Sequence, residues 1–511
     1  MPQGARKTRR TILGLAVALL CVRYAAAQDA TREFEGTLFR DVSLGIAPLR
    51  TTRFDRAAIL AAPAVRQTDE RVAPPAAEPA APPRKRFWTA AGEMVLLEAL
   101  PAIYNRYVAH EPFAYLSWHT VSENFKAGFG YDSDHFSINQ SSHPLHGSLY
   151  FNAARSNGYD YWESALFTAA GSLVWELTME NTRPSVNDLV NTTLGGMTRG
   201  EVSHRLAAVI RDNMASGSDR FWRELGAAVL DPVGAFSRLV HGELTSDFPN
   251  PEERYPDGFS VTSDVGYRHV NGATDDPDQA LISLSARYGD PFTGDIEEPF
   301  DSFWAGIDLN FPAAQVISRI EERGVLKGWE LTDRTAAARH IFGFSQEYEY
   351  FNNAAQVFGA QTLSAGLLSR WALSRSLFAV TDFSVLAIPL AGIQTTNFTN
   401  PQTGRNYDYA PGGGLRAAAR IFGGSAELLS VGYGVVWAHT VNGASDSNTL
   451  QFFRANARVP VYGALAAGAG YSWYSRRTTY TGFATQHLTQ SEWRAFLSLT
   501  FGRSGLRKPK V

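Results

Sequence analysis

Two periods divide this chain of 511 residues. Between Trp88 and about Leu230 apolar residues recur at helical spacing, and from about Gly258 onward they recur at every second position. In the second region Leu429, Val431, Tyr433, Val435 and Trp437 are large and apolar, while Ser430, Gly432, Gly434 and Ala438 among them are small or polar. The same alternation returns in Leu465, Ala467, Ala469, Tyr471 and Trp473, and in Trp493, Ala495, Leu497, Leu499 and Phe501. It also marks Phe303, Ala305, Ile307, Leu309 and Phe311, and again Phe342, Phe344, Tyr348 and Tyr350. Long strands with aromatic ends, joined at turns such as Asn352-Asn353 and Gly423-Gly424, predict a lipid-facing antiparallel β-barrel of about 12 strands over 257-502. A soluble sandwich has the same period. A secretory N-terminus, the aromatic strand ends and a last strand closing on Phe501 favour the membrane, where closure leaves no backbone group unpaired in hydrocarbon.

The helical period predicts a separate domain over 87-250, so the expected fold class is α+β, with an N-terminal helical domain followed by a transmembrane barrel. Thr89 is placed to cap a first helix whose Met94, Leu97, Pro101 and Tyr104 share a face, with Glu93 and Glu98 expected in solvent. Phe113 to Phe129 reads as aromatic and irregular. The clearest helix spans Tyr161 to Glu180, where Ala169, Ala170, Gly171 and Ser172 permit close approach. Further helices are expected near Ser185 behind Pro184, near Thr198 after a flexible Gly195-Gly196 pair, and from about Asp219 to Leu230.

The N-terminus changes the compartment. Arg6, Lys7, Arg9 and Arg10 precede an apolar run from Ile12 to Val22 and then Ala25-Ala26-Ala27, the layout of a signal peptide over 1-27. A retained anchor is the alternative, but the run is short for a bilayer. Residues 28-86 are rich in Ala and Pro and read as a periplasmic linker, and 503-511 as a basic tail. Cys21, the one cysteine, lies inside the signal. The mature chain therefore has no thiol, which removes disulfides, thiolate catalysis and sulfur-bound metals. A net charge of -3 offers nucleic acid no attraction. The expected partner is outer-membrane lipid, lipopolysaccharide or phospholipid, and no cofactor fingerprint stands in the context it requires.

Candidate chemistry concentrates between Asp132 and Arg205. Glu176 and Glu180 are neighbours on one helical face beside Trp175, and two close carboxyls in apolar surroundings suit acid-base work. The structural alternative leaves Glu180 exposed and pairs Glu176 with Arg155, Arg183 or Arg199. Asp188, Asn191 and Gly195 form a polar stripe that interhelical hydrogen bonds would explain. Glu201 and Arg205 are spaced for a helix ion pair, with His204 on the same turn. His143 and His146, with Asp132, Asp134 and His135 upstream, are the one grouping that resembles metal ligands. Their spacing matches no metal motif, and a loop containing Pro144 and Gly147 would account for them through turn hydrogen bonds.

Several spaced motifs carry a resemblance. They are Asn139-x-x-x-His143-Pro144, Gly147-Ser148-x-Tyr150-Phe151-x-Ala153-Ala154-Arg155-Ser156, Trp175-Glu176-x-x-x-Glu180, Pro184-Ser185-x-Asn187-Asp188-Leu189 and Gly195-Gly196-x-x-x-Gly200-Glu201. Over roughly Trp88 to Arg211 the chain resembles a bacterial exported envelope family catalogued as a domain of unknown function. The resemblance implies a Gram-negative outer-membrane protein and supplies no mechanism. Ser185, Asp188, Asn191 and Gly195 also correspond loosely to small VanZ-like membrane proteins, from which nothing is transferred. The function expected is a barrel with a periplasm-side helical plug or cap, serving envelope maintenance or transport. The alternative is an envelope lipid or glycan hydrolase using Glu176, Glu180, Asp188, His143 and His146, supported by a polar network of Asn139, Arg155, Asn187, Asn191, Glu201, His204 and Arg205.

Overall fold

The computed structural model describes residues 84–273, 277–313, 315–333, 336–396 and 398–503. The expected signal peptide and nearly all of the expected linker and basic tail lie outside the described residues.

Twelve antiparallel strands, β1 (Phe259–Asn271) to β12 (Phe483–Arg503), close on themselves, with β1 pairing β12 through partners such as Val261 and Phe501. Which face is inside follows from ion pairs between strands that are not neighbours. Arg454 on β10 (Ser447–Tyr462) donates to Glu321 on β4 (Ile317–Glu330) at 2.8 Å. Arg494 reaches Asp308 on β3 (Phe303–Phe311) at 2.8 Å. Arg416 on β8 (Tyr407–Gly423) reaches Glu347 on β5 (Ala338–Asn352) at 2.5 Å. Such contacts pass only through the lumen, so Glu321 and Glu347 point in, and their neighbours in sequence point out.

The lumen has three levels. At the end where the barrel's first and last residues lie, here the terminal end, it opens as a cavity. The charged pairs cross its middle. Toward the opposite, far end Phe351, Phe358, Leu386, Ile388, Ile393, Val436 and Leu450 pack into one core, beside a buried polar network in which Arg268 donates to Glu492, Gln279 and Asn353.

Among the described residues eight α-helices precede the barrel. They are α1 (Phe87–Tyr107), α2 (Trp118–Ala127), α3 (His143–Arg155), α4 (Tyr161–Thr178), α5 (Val186–Val190), α6 (Gly196–Ile210), α7 (Gly217–Leu230) and α8 (Pro232–His241). A capping box between Asp160 and Glu163 starts α4, and Ser185 caps α5 by accepting from the Asp188 N–H. The expected loop around His143 and Pro144 is instead the start of α3, because proline is tolerated in a first helical turn. Thr89 caps nothing, since α1 already begins at Phe87. Nor does Gly195-Gly196 act as a flexible break. A π-helical turn, Asn191–Gly195, joins α5 to α6 without interruption, and a second, Ile138–Ser142, leads into α3. The glycines serve contact: a Cβ at Gly147 would lie 1.8 Å from the Thr192 carbonyl oxygen, and one at Gly196 2.5 Å from the Gly147 carbonyl carbon. α3 and α6 therefore cross backbone to backbone.

The helices neither plug nor cap the lumen. The residues they touch are the outward ones: Tyr348 donates to the Gln140 carbonyl at 2.6 Å, and Gln346 donates to the Leu194 carbonyl at 2.9 Å. Phe151, Tyr161, Met197 and Val202 pack with Tyr288, Phe303 and Ala305 on the same outer wall. The domain thus lies along the barrel's flank, from Tyr288 near the terminal end to Tyr407 and Tyr409 near the far end. Its free side is inverted relative to a soluble bundle. α1 buries Glu93, Glu98 and Asn105 and exposes Trp88, Val95, Leu96 and Ile103, so the expectation of solvated glutamates is corrected. α4 buries Ser164, Thr168, Ser172 and Glu176 and exposes Trp162, Leu166, Leu173 and Val174.

Candidate functional site

The polar faces of α3, α4 and α5 meet the outer wall near the far end. Asp132 is the hub. Its Oδ1 accepts from Asn139 Nδ2 at 2.9 Å, Asn187 Nδ2 at 2.8 Å and the Tyr409 hydroxyl at 3.0 Å. Asn139 also donates to the Tyr407 hydroxyl at 2.6 Å, and Arg405 donates to the Asp132 carbonyl at 3.0 Å. Asn191 closes the group by donating to the Asn139 carbonyl at 2.9 Å.

Beside this hub, His143 Nε2 lies 3.2 Å from Asp188 Oδ1, and its Nδ1 lies 3.1 Å from the Thr192 hydroxyl. Burial pushes the His143 imidazole down to about 4, with Asp132 opposing, and burial with Asp132 and Glu176 nearby holds the Asp188 carboxyl well above the ordinary carboxylate range. Both shifts disfavour the charged forms, so the contact is weighted toward a carboxylic acid beside a neutral imidazole and away from an ion pair. A hydroxyl, an imidazole and a carboxyl in a row can pass a proton along hydrogen bonds already in place. Thr192 itself is buried.

Glu176 and Glu180 share this corner, but neither pairs with arginine, contrary to the structural alternative. Glu176 accepts from the Ser185 N–H at 2.7 Å, and Glu180 accepts from Trp175 Nε1 at 2.6 Å and from the Thr182 hydroxyl at 3.0 Å. Burial and then the neighbouring Glu180 raise the Glu176 carboxyl. His146 is not part of the group. Its ring faces the Leu97 carbonyl at 3.3 Å and packs edge-on against Trp175 at 5.0 Å between centroids. His143 and His146 thus point to different partners, and among the described residues no three His, Asp or Glu side chains are placed to hold a metal.

The remaining candidates form a second cluster nearer the terminal end. Glu201 accepts from Arg155 at 2.8 and 2.9 Å and from Arg205 at 2.6 Å. Arg205 continues to Asp301 at 2.9 Å and to the Pro299 carbonyl at 2.9 Å, tying α6 to the connection between β2 (Asp278–Tyr288) and β3. His204 faces Asp231 at 3.6 Å. Two carboxyl partners and two guanidinium groups with every nitrogen engaged describe a structural clasp. Sequence reasoning missed Tyr407, Tyr409 and Arg405, which the barrel contributes from 200 or more positions downstream. Their signal was available only as tyrosines on an outward strand face.

Residues 128–233 match the model of a family described as a domain of unknown function, DUF3943. This stretch holds every candidate residue named above from the helical domain except Glu93 and Glu98 on α1, and begins later and ends later than the resemblance read from the sequence. No curated protein matches the chain at a significant level. Among solved structures the chain is similar to the NanC porin, at 11% identity over 46% of this chain and 98% of that one, TM-score 0.26. It is also similar to the KdgM porin in complex with disordered oligogalacturonate, at 10% identity over 47% and 99%, TM-score 0.22. A third, OmpT, an outer membrane protein of Vibrio cholerae, shares 8% identity over 48% and 98%, TM-score 0.22.

Proposed function

We propose that this chain is an integral outer-membrane protein whose barrel is a sealed anchor. Its helical domain, held in the bilayer against the barrel's flank, carries the working surface in envelope maintenance, with membrane lipid as its immediate partner. One observation carries the reading. α1 and α4 turn apolar side chains outward and polar ones inward, as the bare strands do at Phe383, Val385 and Leu415. Ionisable groups that live at membrane depth face the protein interior and pair there. Among the described residues no helix is long and apolar enough to cross a membrane, so in this reading the barrel supplies the anchorage. Transport through the lumen is the weaker half of the original expectation, because the apolar core fills the far end.

The test reconstitutes the protein in vesicles of phospholipid brominated on the acyl chains. Trp88 and Trp162 fluorescence is expected to be quenched, seen as a smaller quenched fraction in W88F and W162F variants. Unchanged quenching in both variants would place the helices in water and end the reading. Planar bilayers are expected to show no steady conductance.

A second reading is favoured by the Asp188, His143, Thr192 row, namely an acid-base site acting on a lipid that approaches from the far rim. Because Thr192 is buried, substrate reaches its hydroxyl only if α3 and the π turn before α6 part. Release of fatty acid from vesicle phospholipid by the purified protein, lost in H143Q, would support it.

A further inference from the structure

The cavity at the terminal end of the lumen has no part in the helical site. Its volume is about 840 Å³, within the range of small-molecule sites. Five arginines line it against three aspartates. Most of these charges are matched. Arg370 holds both oxygens of Asp290 at 2.9 and 3.0 Å, Arg323 pairs with Asp382, and Arg339 pairs with Glu330.

The floor is different. Arg420 has Glu427 as its carboxylate partner, 3.9 Å away, and that one carboxylate is already taken by Arg287 and reached by Arg458 at 3.4 Å. Arg458 has Asp264 as well, at 2.8 Å. Among the described residues three guanidinium groups thus share two carboxylates and leave one positive charge in excess, in a place where a buried charge is costly unless matched. Above Arg420 the wall is aromatic. Phe378 and Phe422 stack at 5.0 Å between centroids, and Phe292 lies under the Arg370 guanidinium at 4.5 Å.

We propose that this cavity binds a small organic anion with an apolar body, entering from the terminal end. Its acid group sits between Arg420 and Arg287, and its body lies against Phe378 and Phe422. Planar guanidinium groups suit a carboxylate, sulfonate or phosphate. The cross-lumen ion pairs and the apolar core behind them make this a blind site, so the anion is held and not conducted. The proposal does not depend on where the helical domain sits.

Isothermal titration of the full chain in detergent with naphthalene-2-sulfonate tests it, beside the neutral 2-naphthylmethanol and inorganic sulfate. Saturable one-to-one binding of the sulfonate is expected, at least tenfold tighter than the alcohol and at least tenfold tighter than sulfate. In R420Q the affinity falls at least tenfold, and in R420K, which keeps the charge and loses the planar fork, it falls less than in R420Q. Absence of saturable sulfonate binding, or equal affinity for the alcohol, overturns the proposal on the unmodified protein, whatever the variants do. A folded R420Q, judged by heat-modifiable migration, that binds as tightly as the parent also overturns it. Sulfate binding as tightly as the aryl sulfonate removes the apolar part of the claim and overturns it as stated.

Discussion

The barrel has two outer walls, one bare and one covered by helices, and a single strand carries both. Along β5 the outward positions run Phe342, Phe344, Gln346, Tyr348, Tyr350. The first two are 37% and 45% exposed, and the last three are 3%, 0% and 2% exposed. The period of two carries through these positions, past a bulge in the facing strand beside Phe344, but the partner changes. Phe344 faces open surroundings. Tyr348 must end in a hydroxyl because the Gln140 carbonyl lies above it. A lone amide or phenol at the Phe344 position would be left without a partner in hydrocarbon, at several kcal/mol, and where the bare wall does carry such groups they pair with each other, as Tyr433 does by donating to Gln451 at 2.7 Å. Polarity on an outward strand face is therefore a record of contact with another part of the chain.

The largest expected effect comes from removing the cover. In G147L the new side chain meets the Thr192 backbone at a distance no Cβ tolerates, and backbone on both sides leaves it nowhere to move. α3 and α6 should fail to cross, at a cost of more than about 3 kcal/mol to the helical domain. Limited proteolysis should then remove residues before about Phe259 while the barrel still migrates in a heat-modifiable way. A protease-resistant helical domain in G147L would mean that the crossing is softer than the geometry says.

The bare wall is tested next. F344R places a charge among outward apolar residues and should cost about 2 to 4 kcal/mol if that face meets lipid at mid-depth. Refolding titrations into detergent or vesicles would show it as a shifted midpoint. A cost near zero would make this face a watery one and would dissolve the contrast with Tyr348.

How much of this was legible beforehand follows from the same contrast. The strand period, the helical domain and the strand count were readable because alternation and helical spacing are properties of neighbouring residues. The side of the barrel on which the helices lie was not. Phe303 and Phe344 look alike in the sequence, yet Phe303 is buried under Tyr161 and Met197 and Phe344 is bare. Glu93 and Glu98 seemed solvated because charged residues usually face water. In α1 they face inward, and the rule is reversed by the surroundings of the whole domain. The His143, Asp188 and Asn139 grouping was partly visible as motifs, but its Tyr407, Tyr409 and Arg405 half arrives through tertiary pairing that no local pattern encodes.

A smaller effect belongs to the end of the helical domain, at the junction of α7 and α8. Burial alone would raise the Asp231 carboxyl. The His204 contact, Arg211 and the Gly234 N–H outweigh it and hold it down at about 2. A depressed carboxyl contributes stability that is present above its unfolded value near 4 and is lost as pH falls through about 2. D231N should therefore lower stability by about 2 kcal/mol at pH 7 and flatten the loss between pH 4 and 2. Denaturant midpoints of the helical domain across that interval would show whether the two curves converge in acid, as linkage requires.

The smallest expected change in stability is D188N, and it separates chemistry from packing at the helical site. Asp188 Oδ1 accepts from Asn187 Nδ2 at 2.9 Å and faces His143 Nε2 at 3.2 Å. An amide oxygen in the same place still accepts from Asn187, and it accepts from His143 once the imidazole carries its proton on Nε2 and takes the Thr192 hydroxyl on Nδ1. Every partner is then satisfied, so the variant should stay within about 1 kcal/mol of the parent and reach normal abundance. What it lacks is a proton to give or take. If the row works as an acid-base relay, cells carrying D188N should show the envelope permeability of a deletion while holding normal amounts of a protease-resistant protein. If the row only holds helices together, permeability should stay at the parental level.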